Sequence, residues 1–192
     1  MDWKTILIGT IAVFIPIVAF GKKTQPGSSQ SYSGDIMEIS FLDMPGYPLG
    51  MRNNNPLNLI ATATNWQGEI TSTGNFTRFK SYVWGVRAAI KNMISYIDTH
   101  GRNTILKIIE CWAPRYNSRC PGNEGANGDN SDLAVDNYIS KVEQLTGKGR
   151  NSIITSSYEF LKKLIPAMAV VETGRTDHGI TPAMFDAAWL LK

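Results

Sequence analysis

The sequence predicts a mainly α-helical domain with a small β or loop element, preceded by an N-terminal membrane helix. Three observations carry the prediction. Apolar residues recur at threes and fours over 83–99, 105–112, 132–146 and again after Ser156, the period of helices with one buried face. Only the stretch 66–82, with its alternating NFTRFKSY, reads as a short strand or β-turn. Residues 5–20, TILIGTIAVFIPIVAF, are apolar without a single charge.

The apolar run is shorter than the roughly 20 residues of a comfortable membrane helix, and Trp3 and Lys4 extend it as interfacial anchors. Residues 1–23 therefore read as a transmembrane anchor that contacts lipid through residues 5–20. A secretory signal peptide, with a small-residue cleavage site at Ala19-Phe20-Gly21, is the competing reading. Residues 24–35, rich in Ser and Gly, read as a flexible linker. Residues 36–192 form the globular domain.

Within that domain, Met44-Pro45-Gly46-Tyr47-Pro48 predicts loops or short turns. Val83, Val86, Ile90, Met93, Ile94 and Ile97 line one helix over 83–99, stopped by Gly101. Asn103 or Thr104 caps a second helix with Ile105, Ile108, Ile109 and Trp112 inward and Pro114 beyond it. Glu110 on that helix is expected to face out. Residues 114–131 have no apolar period and read as a functional or mobile loop. A third helix over 132–146 turns Val135, Tyr138, Ile139, Val142 and Leu145 inward and stops at Gly147. Ser156 with Glu159 forms a capping box for a fourth, which Pro166 kinks or restarts before Gly174. Thr181-Pro182 opens the last helix, ending near Leu191.

Composition narrows the function. The chain has 192 residues, a formal charge of +3 and no long basic run, which gives nucleic-acid binding no electrostatic footing. Two histidines and no HExxH pattern argue against a catalytic zinc site, and nothing calls for a cofactor. Cys111 and Cys120 suit neither a zinc ribbon nor a redox CxxC; a disulfide and two free thiols both stay open.

Two carboxylates stand out. Glu172, in AMAVVETGR, closes an apolar helix just before a glycine break. Partial burial and the negative end of the helix dipole both disfavour its ionised form, as a general acid requires. The bland alternative is a helix-terminal glutamate turned to solvent. Glu69 follows Trp66-Gln67-Gly68, where the bland reading is an ordinary turn carboxylate. The run MRNNNPLNL concentrates amides at Asn53, Asn54, Asn55 and Asn58 around Pro56, and Asn55 is pushed from helix by that proline. It reads as a turn held by local Asx bonds or as a sugar-binding wall. Trp66, Trp84, Trp112, Tyr82 and Tyr116 are core residues or stacking platforms for sugar rings.

RNNNPLNL, NWQGE, FTRFKSYVWGVRAAIKNMISYI, HGRNTILKIIECWAP and DNYISKVEQLTG, in that order, resemble a phage virion protein family similar to the lytic structural protein of enveloped double-stranded RNA phages. The resemblance covers about residues 50–147. The family's E-N-x-T after W-A-P is replaced here by the longer loop 115–131, and its usual glycine is Leu57. AMAVVETGR also resembles the helix of lytic transglycosylases and flagellar-type glucosaminidases that ends in the catalytic glutamate, although there the glutamate helix precedes the asparagine segment.

These resemblances imply a lysozyme-like helical domain that cuts peptidoglycan glycan strands, as a lytic transglycosylase or muramidase, during virus entry or host lysis. Glu172 and Glu69 would be catalytic. Asn53, Asn54, Asn55, Asn58, Trp66 and Tyr82 would bind substrate. The protein would sit in a virion membrane or in the host inner membrane facing the periplasm, alongside other virion proteins. A non-catalytic virion membrane protein that binds peptidoglycan is the alternative.

Overall fold

The computed structural model describes residues 35–70, 74–120 and 128–192. Among them the chain forms a 3-10 turn at Ile36–Glu38, six α-helices and one two-stranded sheet. The helices are α1 (Leu49–Arg52), α2 (Tyr82–Ile94), α3 (Ile105–Trp112), α4 (Asp132–Thr146), α5 (Tyr158–Thr173) and α6 (Pro182–Leu190). The strands are β1 (Glu69–Ile70) and β2 (Arg78–Phe79), antiparallel, with Glu69 opposite Phe79 and Ile70 opposite Arg78.

The expected fold class needs one correction. The membrane helix assigned to residues 5–20, with the linker after it, lies outside the described residues. Among those described, no helix is long and apolar enough to cross a membrane. Among the described residues the architecture is a mainly helical domain with a two-stranded sheet, without a membrane-spanning helix.

α2 is the axis of the core. Every residue from Tyr82 to Ile90 is buried, so this helix is covered all round rather than on one stripe. It packs against α6 on one side and α5 on another, while α4 joins α3 to α5. Arg87 is buried with it and donates from Nε to the Leu191 carbonyl at 2.7 Å, so its charge meets the carbonyl end of α6. The helix expected to run to residue 99 turns into a five-residue π turn at Ser95–Thr99.

Local chemistry sets the other boundaries. Thr104 accepts from Lys107 N, Ser131 from Ala134 N, and Thr181 from Met184 N, each answering an otherwise orphaned first-turn donor. Ser157, not Ser156, caps α5; the Ser156 hydroxyl bonds Asp98 at 2.6 Å instead. α5 runs unbroken through Pro166, because Leu164, Ile165, Ala167 and Met168 are all buried and their packing outweighs the roughly 3 kcal/mol that proline costs a helix. Leu145, expected inward on α4, is 43% exposed.

The loop after α3 is anchored rather than loose at both described ends. Cys111 and Cys120 are disulfide-bonded. Arg115, bridged in register with Asn130, bonds Glu110, Asp132 and Asp136 together. Glu110 is thus half-buried and paired, not simply turned outward.

Two glycines mark where backbone must approach closely. A Cβ on Gly85 would lie 1.8 Å from the Asn54 carbonyl oxygen, and one on Gly68 would lie 2.3 Å from the Trp84 ring. Gly85→Ala is expected to lower stability by about 3 kcal/mol or more, since backbone on both sides has to move. Chemical denaturation followed by far-UV circular dichroism would read that loss; a change under about 0.5 kcal/mol would refute the packing described.

Candidate functional site

Four segments converge on one carboxylate. Glu172 occupies the last turn of α5 and is 9% exposed. The helix stops two residues later at Gly174, whose φ of 67° releases the chain there. Trp112 at the end of α3 donates from Nε1 to Glu172 Oε1 at 2.7 Å. Tyr138, halfway along α4, donates its hydroxyl to the same oxygen at 2.9 Å. Asn58 donates from Nδ2 to Oε2 at 2.9 Å. Trp112, Tyr138 and Asn58 are each almost fully buried.

The division of bonds matters chemically. A carboxyl group has about four acceptor positions. Oε1 fills both of its own with Trp112 and Tyr138. Among the described residues Oε2 accepts only from Asn58, so its second position is where a proton can be taken up or given away. Burial, followed by the neighbouring charge of Glu172 and the hydrogen bond to it, pushes the Tyr138 phenol well above its ordinary value of 10.0. Tyr138 therefore keeps its phenolic proton and stays a donor to Glu172 throughout the neutral range.

Of the predicted site residues, the structure brings Asn58 to Glu172 and places the others elsewhere. Asn54 is fully buried; Oδ1 accepts from Phe41 N at 2.8 Å, and Nδ2 donates to Ser40 Oγ and the Phe79 carbonyl. Asn55 is equally buried; Nδ2 donates to the Leu59 and Thr77 carbonyls and Oδ1 accepts from Leu59 N, all at 2.9 Å. Asn53 ends α1, and its carbonyl accepts from Phe79 N. Tyr82 is fully buried, with its hydroxyl on the His178 carbonyl and its ring edge-on to Phe41. For Asn54, Asn55 and Tyr82 the expected sugar wall gives way to a scaffold role, because their polar side-chain groups are bonded inside the core, while Asn53 is buried beside them.

Trp66 is partly buried against the core, and its backbone N–H donates to Glu69 Oε2 at 3.0 Å. Glu69 thus holds its own turn at the start of β1. Asn54 and Asn58 both have positive φ, 51° and 52°, a backbone state that asparagine tolerates better than most residues.

Sequence reasoning missed Trp112 and Tyr138 as partners of Glu172. Both sat on predicted apolar stripes, and each ends in a polar group that needs a partner when buried. That requirement was the available signal; the partner itself lies 60 and 34 residues away.

Tyr138 generates a pH prediction. The folded protein holds this phenolic proton more tightly than the unfolded chain, whose tyrosine titrates near 10.0. Its contribution to stability is fully present below that pH and is lost as pH rises above it. Tyr138→Phe is expected to lower stability at neutral pH by about 1–2 kcal/mol and to flatten the alkaline loss. Denaturant titrations from pH 7 to 11 would show both effects; an unchanged alkaline slope would refute the assignment.

No family model matches the chain. Over 130 residues it is 32% identical to Protein P5 of Pseudoalteromonas phage PM2, a match covering 65% of this chain and 71% of that protein. With that much of the phage protein spanned at that identity, the chain belongs to the family of Protein P5 of Pseudoalteromonas phage PM2.

Proposed function

We propose that this phage-related protein degrades peptidoglycan by cutting its glycan strand in the manner of a lytic transglycosylase, with Glu172 as the acid and base. The observation that carries the reading is a single buried carboxyl at a helix end, fixed by three donors and left with one open position on Oε2. Preorganisation of this kind is what positioned proton transfer needs. The resemblances to virion lytic proteins and to glutamate-terminated catalytic helices point the same way.

The chemistry balances with one carboxyl. Protonated Glu172 gives its proton to the glycosidic oxygen as the bond from that oxygen to C1 breaks. The C6 hydroxyl of the same sugar attacks C1 and closes a 1,6-anhydro ring. The hydroxyl proton returns to Glu172. A hydrolase would need a second carboxylate at a defined spacing. Glu69, committed to the Trp66 N–H, is the weaker candidate for that place. Asn58, Trp112 and Tyr138 are positioning residues in this scheme. Action during entry or lysis, as a virion component, belongs to the same proposal.

One observation favours a second reading. Both oxygens of Glu172 are hydrogen-bonded inside the protein, as in a polar knot that only fastens the fold. In that case the protein would bind peptidoglycan without cutting it.

Digestion of purified peptidoglycan, with released muropeptides read by mass spectrometry, separates the two. Wild type is expected to release anhydro-muropeptides, Glu172→Gln to lose about 10³-fold of that rate, and Glu69→Gln to keep most of it. Reducing ends that vanish with Glu69→Gln would make it a hydrolase. Absence of any release by folded wild type would leave the binding reading.

A further inference from the structure

Asn58 delivers Nδ2 to Glu172 Oε2 at 2.9 Å, yet its Oδ1 is buried and receives no donor among the described residues. An amide bonded at one end only is free to turn about its last torsion, which is a soft one. A half turn would set oxygen, an acceptor, against the carboxylate. Something other than a hydrogen bond to Oδ1 has to hold the amide in place.

That contact is Gly50, buried in α1. A Cβ at this position would stand 2.7 Å from Asn58 Oδ1 and 2.9 Å from the Asn55 carbonyl oxygen. Oδ1 therefore rests in space that any side chain at position 50 would fill. Alanine suits a helix better than glycine, so helix propensity does not account for the residue. The room it leaves does.

Local bonds keep the two residues at this distance. Asn55 N donates to the Gly50 carbonyl at 2.8 Å, and Asn58 N donates to the Asn55 carbonyl at 3.0 Å. α1 in turn packs on α5, the helix that ends in Glu172. The direction of the amide decides more than one bond. With Nδ2 on one side of Oε2, the other side is the open position for a proton. A displaced amide would leave Oε2 without its donor and that open side undefined.

We infer that Gly50 is a positioning residue acting through Asn58: it seats the amide so that Nδ2 faces Glu172 and fixes which side of Oε2 exchanges the proton. The part in proton transfer rests on the glycan-cutting proposal; the seat rests on packing alone.

The test compares the full chain, labelled with nitrogen-15, as wild type, Gly50→Ala, Asn58→Ala and the double variant. Gly50→Ala is expected to shift the Asn58 side-chain amide resonances and to leave the Trp112 indole N–H, bonded to the other oxygen, in place. Release of anhydro-muropeptides is expected to fall about tenfold or more in each single variant and no further in the double variant, since both remove one interaction. General loosening would move both resonances and multiply the losses. Should Gly50→Ala fail to fold, the double variant is expected to fold, because loss of the amide makes room for the added Cβ. An unmoved Asn58 amide in Gly50→Ala, an equal shift at Trp112, multiplied losses, or a double variant no more stable than Gly50→Ala would each overturn the inference. The expected resonance pattern in a chain that releases no muropeptides would sink the catalytic proposal and leave the seat standing. Undiminished release by Gly50→Ala would do the reverse.

Discussion

A carboxyl group nine-tenths out of water has to be met by donors, and that constraint organises this protein. Left unmet, the group would cost several kcal/mol in burial alone. Glu172 is met by one donor each from α3, α4 and the asparagine loop. The four segments that share it are those whose relative placement defines the domain: α4 packs on both α3 and α5, and α1, just before the loop, packs on α5. The carboxyl thus fixes the register of helices whose apolar faces alone would tolerate sliding. Hydrophobic burial supplies the stability, and the polar junction supplies the uniqueness of the arrangement.

The asparagine loop does the complementary work where the sheet is too small to do it. Two strands of two residues leave many backbone groups without ladder partners. Asn54 and Asn55 stand in for the missing ladder, bonding backbone at Phe41, Phe79, Leu59 and Thr77. Their amides imitate peptide groups, offering a donor and an acceptor at the spacing backbone expects. Gly85 then lets α2 lie directly on the loop backbone. Asn58, held in place by these neighbours, is the one amide of the run delivered to Glu172.

After α3 the chain uses a covalent link and an ion-pair cluster for the same purpose. The disulfide and the Arg115 group tie down the described ends of a loop with no apolar period of its own. Nearby, Tyr96 meets Trp112 edge-on, and Trp112 in turn holds the buried carboxyl.

Much of the helical framework was legible in the sequence. Residues 105–112 and 132–146 emerged with the predicted bounds, and Ile105, Ile108, Ile109, Trp112, Val135, Tyr138, Ile139 and Val142 are buried as their spacing required. Caps at Thr104 and Thr181 and the stops at Gly147 and Gly174 were readable too, because each depends on the few residues around it. Glu172 was legible as a carboxyl in an apolar setting. Its partners were not, nor was the conversion of Asn54, Asn55 and Tyr82 from sugar wall to scaffold. Local order is written in spacing and side-chain type. The bond from Asn58 to Glu172 spans 114 residues, and only the packed tertiary structure, in which each buried polar group must find a donor or acceptor within 3 Å or so, could decide which groups would meet.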